Sequence, residues 1–102
     1  MLRREIAGRQ RALAGIRGEL RKNISRFLRE HRAEVFTVSE ILDLLGLGPK
    51  VFRDSSPCFS PQIYCADYGD ICYCAEQAVS EMERDKQAEM FEIAGSLYYG
   101  DK

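Results

Sequence analysis

Twelve residues, FTVSEILDLLGL from Phe36 to Leu47, constrain this chain more than any other stretch. Thr37 and Glu40 form a T-x-x-E capping box. The hydroxyl accepts from the third helical amide, and the carboxylate reaches back to the amide of the cap. Phe36 precedes the cap and Ile41 follows at the fourth helical position, which is the spacing of a hydrophobic staple. Val38, Ile41, Leu42 and Leu45 recur at helical spacing and make one apolar face. Gly46 is placed to take the left-handed conformation after the helix, and Leu47 to fold back on Leu42. The spacing predicts a helix of about two turns with both ends fixed. So short a helix is stable only against partners.

The surrounding chain limits what those partners are. Its 102 residues are enough for one domain with a modest core. Apolar residues make up 45% and charged residues 30%, the balance of a globular chain. No apolar run approaches the roughly 20 residues needed to span a bilayer. Residues 1–10 are charged without an apolar centre, so no secretory signal is expected and the setting reads as cytoplasmic.

The net charge of −1 conceals a strong asymmetry. Residues 1–33 carry ten Arg or Lys and three Glu, for +7; residues 34–102 carry five basic and thirteen acidic side chains, for −8. A basic arm of this kind binds nucleic acid, or pairs with an acidic body in its own chain or in a partner.

Residues 2–32 read as one long basic helix, in one piece or in two. Leu13, Ile16, Leu20, Ile24, Phe27 and Leu28 recur at steps of three and four. Gly8, Gly15 and Gly18 each cost about 1 kcal/mol relative to Ala, so its first half is weak alone. Two uses fit the apolar stripe. It can pack into the chain's own core, or Leu13, Ile16, Leu20 and Ile24 can form a homodimer seam. His31, the lone histidine, sits near the helix end, where a solvated or dipole-favoured imidazole is expected. Residues 33–38 can hold one brief strand.

Residues 48–69 contain Pro49, Pro57 and Pro61 and lack periodicity, which predicts a long loop. Asp70 is a plausible N-cap for a helix over 70–86, with Ile71, Ala75, Ala78, Val79 and Met82 as its buried stripe. Residues 88–100 then read as a β-hairpin of four- or five-residue strands, turning at Gly95-Ser96 in a II′ turn. The fold class is mainly α with a small hairpin (α+β), in a single domain.

ISRFLREH (24–31) followed by FTVSEILDLLGL (36–47) resembles the first helix, first strand and second helix of the winged helix-turn-helix family. Residues 70–86 would then be the third helix and 88–100 the wing. The resemblance implies a small DNA-binding transcriptional regulator acting as a homodimer on double-stranded DNA, with the third helix in the major groove. Two features depart from the pattern. About twenty-two residues separate the second and third helices. The third helix is also acidic, with Asp70, Glu76, Glu81, Glu83 and Asp85 against Arg84 and Lys86, where phosphate contact demands positive charge. Lys50, Arg53, Arg84, Lys86 and Gln87 are the candidate phosphate contacts, and Gln77, Ser80 and also Arg84 the candidates for base edges. The acidic helix equally suits a protein-interaction module that meets a basic protein partner.

Cys58, Cys65, Cys72 and Cys74 are the only cysteines, in the spacing C-x6-C-x6-C-x-C. Four thiolates can hold one structural zinc, but no paired C-x2-4-C knuckle is present. Two disulfides, or free thiols in a thiol- or zinc-responsive switch, remain open. On a regular helix Cys72 and Cys74 diverge by about 200°, so they can share a metal only if the helix begins near Cys74. With one histidine, no phosphate-binding glycine loop and no nucleophile motif, no enzymatic activity is expected. The aromatic residues Phe59, Tyr64, Tyr68 and Tyr73 read as loop packing.

Overall fold

The computed structural model describes residues 2–49 and 59–102. The elements run α1 (Arg3–Glu30), α2 (Val38–Leu44), α3 (Pro61–Cys65), α4 (Tyr68–Arg84), β1 (Ala88–Ile93) and β2 (Ser96–Asp101). The chain is mainly helical with one two-stranded antiparallel hairpin.

Helix α2 forms as its residues dictate. The Glu40 amide donates to the Thr37 hydroxyl at 3.2 Å, and the Thr37 amide donates to the Glu40 carboxylate at 3.1 Å. At the other end Gly46 has φ 79°. The Leu47 amide reaches the Leu42 carbonyl at 2.8 Å, and the Gly46 amide the Asp43 carbonyl at 3.1 Å. That pair of bonds is the Schellman closure, and it places Leu47 back in the core beside α2.

Helix α1 is continuous through Gly8, Gly15 and Gly18. Its apolar stripe lies on α4, and that packing supplies what the glycines remove. Leu20, Ile24 and Leu28 of α1, Ile41 and Leu42 of α2, Ile63 of α3 and Ile71, Val79 and Met82 of α4 are each at most 1% exposed. Full burial of such side chains stabilises by about 1.5–3 kcal/mol each. The seam expected for a homodimer is therefore taken up within the chain: Ile16, Leu20 and Ile24 are buried and Leu13 packs against the same core. A second copy would have to meet other residues.

The segment expected to be an irregular loop contains α3. Pro61 at its start needs no amide partner, its fixed φ suits the first turn, and buried Ile63 anchors the turn to the core. The next helix starts at Tyr68, after Asp67, rather than after an Asp70 cap. Asp70 lies inside the first turn, where its carboxylate meets Arg9 at 2.9 Å.

The hairpin also differs from its expected form. Both strands have six residues, and Ile93 pairs with Ser96. The turn residues are thus Ala94 and Gly95, with φ 52° and 83°. Two positive φ values make this a I′ turn, whose twist matches the strands better than the II′ turn expected at Gly95-Ser96. Outside the hairpin, Phe36 makes a single antiparallel bridge to Tyr99, so the chain entering α2 lies along the edge of β2.

Candidate nucleic-acid interface

The buried stripe of α4 leaves the opposite side of the helix outward. Gln77, Ser80 and Arg84, three of the predicted contacts, are exposed there at helical spacing, with Tyr73, Glu76 and Glu83 around them. Beside this face, the start of α2 and strand β2 enclose a groove of about 500 Å³. Thr37, Ser39, Glu76, Ser80 and Ser96 give it polar walls, and Leu97 and Tyr99 line its apolar part. Burial pushes the Tyr99 phenol above its ordinary range, and the charges of Glu76 and Glu83 push it the same way.

The remaining predicted contacts do not gather on this face. Lys86 follows the end of α4 with φ 61°, in a second Schellman closure, where the Gln87 amide meets the Met82 carbonyl at 2.7 Å. Gln87 turns toward α1, its side-chain oxygen accepting from Arg21 at 2.8 Å. Lys50 and Arg53 lie outside the described residues.

The acidity of α4 has a local explanation. Asp70 pairs with Arg9, Glu81 with Arg17 at 3.1 Å and with Arg21 at 3.1 Å, and Asp85 with Arg21 at 2.6 Å. The Asp85 hydrogen bond is the main cause that raises the Arg21 guanidinium above its ordinary value. Three acids that would repel a polyanion are therefore matched by cations of the same chain. Arg32 is paired with Asp101 at 3.1 Å in the same manner. The asymmetric charge of the sequence is partly an internal pairing of α1 with α4. The signal lay in the flanks of the two stripes. Arg17 and Arg21 border the apolar run of α1 four residues apart, and Glu81 and Asp85 border that of α4 at the same spacing.

The three described cysteines differ in burial. Cys65 is exposed at the end of α3, and Cys72 and Cys74 lie within the regular helix α4. Cys74 is buried, with its thiol 3.5 Å from the Leu13 carbonyl on α1. Cys72 is half-buried and hydrogen-bonded to Tyr68, which also bonds Ser39 in the first turn of α2. The condition for a shared metal, a helix beginning near Cys74, is not met, because the helix begins six residues earlier. Cys65, Cys72 and Cys74 are free thiols, and no group of three metal-ligating side chains occurs among the described residues. Cys58 lies outside them. Among the aromatic residues, Phe59 and Tyr64 do pack edge to face, with ring centroids 6.1 Å apart. Tyr73, by contrast, is 54% exposed on the outward face of α4.

His31 closes α1 rather than joining a site. Its ring stacks on Phe27 at 4.4 Å, and Nδ1 lies 2.9 Å from the Phe27 carbonyl. No helix among the described residues is long and apolar enough to cross a membrane. Searches against models of known protein families, curated proteins and solved structures return no match to this chain.

Proposed function

We propose that this chain is a winged helix-turn-helix domain that binds double-stranded DNA and regulates transcription, reading the duplex with the outward face of α4. The order of elements supports the reading: a first helix, a bridging strand residue at Phe36, a capped second helix, then α4 and a hairpin. The observation that carries it is the pairing of Asp70, Glu81 and Asp85 with arginines of α1. It matches three of the five acids of residues 70–86 and leaves Gln77, Ser80 and Arg84 on the open side, together with Glu76 and Glu83. Gln bonds adenine in bidentate fashion, Ser suits several base edges, and Arg bonds guanine or phosphate. α3 and the chain before it are an addition to the helix-turn-helix plan.

Selection from a random duplex pool at low salt tests this. The expected result is one enriched motif that Gln77→Ala/Ser80→Ala no longer selects. A pool from which the wild type enriches nothing refutes the reading.

One observation favours a second reading, a module that docks a protein partner. Met90, Phe91, Ile93 and Leu97 of the hairpin are 42–57% exposed. A wing that only touched phosphates would have no use for four apolar side chains. Changing Phe91 and Ile93 to Ser separates the two readings, because motif selection through α4 survives it and a protein contact does not.

A further inference from the structure

α1 carries more cations than α4 can match. Arg9, Arg17 and Arg21 lie beside α4 and are paired with it. Arg4, Arg11, Lys22 and Arg29 are exposed, and none of the four is in an ion pair among the described residues. Their spacing is seven, eleven and seven residues. At 100° per residue the four positions fall within about 20° of one another, on the side opposite the buried stripe. They form one straight ridge, about 37 Å from first to last at 1.5 Å per residue.

Little interrupts that ridge. Gly8, Gly15 and Gly18 lie along it; a Cβ at Gly8 or Gly18 would meet nothing within 4 Å, and at Gly15 only the Gln62 side chain of α3, at 3.5 Å. Gly18, Lys22, Ser25 and Arg29, with Arg21 and Gln87 at the α4 side and Glu19 as its one acid, line a depression of about 490 Å³. Two of the helix's three acids are turned to other partners. Glu5 accepts from the Leu2 amide at 3.0 Å, and Glu19 from the Ser60 amide at 2.8 Å. A second copy of α1 would meet like charge on this face, so self-association through it is disfavoured. The helix also has no free apolar stripe with which to enter a lipid surface, since its stripe is buried on α4. A rigid linear polyanion fits it best, and 37 Å is close to one turn of B-form duplex.

We propose that the ridge Arg4, Arg11, Lys22 and Arg29 binds the phosphate backbone of duplex DNA, independently of base sequence and of the α4 face. The ridge and the outward face of α4 both point away from the contact between the two helices, so one straight duplex cannot lie on both. The ridge is a second duplex contact, which lets one molecule hold two segments. This deepens the DNA-binding reading and is tested apart from it.

The test measures the affinity of the full chain for a mixed-sequence duplex of about three helical turns, over a salt series. Arg4→Gln/Arg11→Gln/Lys22→Gln/Arg29→Gln keeps helix propensity and touches no ion pair among the described residues. Its far-UV circular dichroism and thermal melting should match the wild type. If all four side chains meet phosphates, the log-affinity against log-salt slope should flatten by about 3.6. Gln77→Ala/Ser80→Ala should leave that slope unchanged. An unchanged slope in the ridge variant overturns the proposal while leaving motif selection by α4 standing. Ridge-dependent binding without any selected motif would do the reverse. Ridge-dependent binding to phosphatidylserine–phosphatidylcholine vesicles with none to duplex also overturns it, assigning the ridge to a membrane surface.

Discussion

Phe36 and Tyr99 exchange two backbone hydrogen bonds, at 2.9 and 2.7 Å, across 63 positions of sequence. They fix the hairpin beside the entry to α2, and so set the groove whose floor is Tyr99 and whose rim is Thr37. Phe36 is 5% exposed and lies edge to face on Phe27 at 4.9 Å. Phe36→Ala is expected to cost about 3–5 kcal/mol. Chemical denaturation checks it, and a loss below 1 kcal/mol would mean that the Phe36 ring does not anchor this edge to the core.

Gly100, the neighbour of Tyr99, leaves no room on this edge. A Cβ there would sit 3.0 Å from a methyl of Val35. Gly100→Ala should destabilise by about 1–3 kcal/mol through overpacking. Val35→Ala should recover part of that loss in the double variant, since Val35 is 40% exposed and little else depends on it. Additive losses in the double-mutant cycle would refute the clash.

Two residues without glycine's freedom stand in left-handed conformations, Lys86 after α4 and Ala94 in the hairpin turn. The left-handed region costs an ordinary L-residue roughly 1–2 kcal/mol. Lys86→Gly and Ala94→Asn should therefore each stabilise by about 0.5–1 kcal/mol. Gly46→Ala, at the equivalent position after α2, should destabilise by a similar amount. Thermal melting of the three variants gives the signs, and a destabilised Lys86→Gly would show that the Lys side chain has another role.

The same comparison shows what was legible in the residues and what was not. Local chemistry was legible. The T-x-x-E box, Gly46 and the three-four stripes specify α1, α2 and α4 to within two or three residues, because each signal is satisfied inside one helix. Pairings between elements were not. The I′ turn depends on Ile93 meeting Ser96, and the two dipeptides Ala94-Gly95 and Gly95-Ser96 differ by one step of register. α3 is only five residues long and owes its existence to Ile63 reaching the core, which no local pattern announces. Pairing of the basic arm with an acidic body of its own chain was one of the open alternatives, and the residues did not decide it, because the ion pairs of α4 with Arg9, Arg17 and Arg21 span some sixty positions. Part of the predicted site falls on Lys50 and Arg53, outside the described residues.

Arg21 holds Glu81, Asp85 and Gln87 together at the crossing of α1 and α4. Its side chain is 28% exposed and that of Asp85 52%, so solvent screens much of the attraction. Arg21→Gln should cost no more than about 1 kcal/mol at low salt. The difference should shrink toward zero near 1 M salt, where the screening length is about 3 Å. It should also weaken duplex binding through α4 more than its stability loss explains, because Asp85 is left without a cation. Equal stability losses at both salt concentrations would show that packing of the Arg21 stem, rather than charge, is what matters.

The alkaline limit of stability follows from three acids, Cys74 and Tyr99 buried and Tyr68 half-buried. Burial pushes the Cys74 thiol above its ordinary 9.0, with Asp70 adding to the effect and Arg17 opposing it. Burial likewise raises the Tyr68 and Tyr99 phenols above 10.0, aided by Cys72 at Tyr68 and by Glu76 and Glu83 at Tyr99. In each case the folded chain holds its proton more tightly than the unfolded one. The unfolded chain therefore releases protons first, and the folded state loses its advantage as pH rises above the ordinary value. Stability should hold from pH 7 to 9, fall from about pH 9 as Cys74 begins to count, and fall more steeply above 10. Cys74→Ala should delay the onset to about pH 10 by leaving only the tyrosines. Urea titrations at intervals from pH 7 to 11 measure this, and an identical onset in wild type and Cys74→Ala would show that the buried thiol on α4 does not govern it.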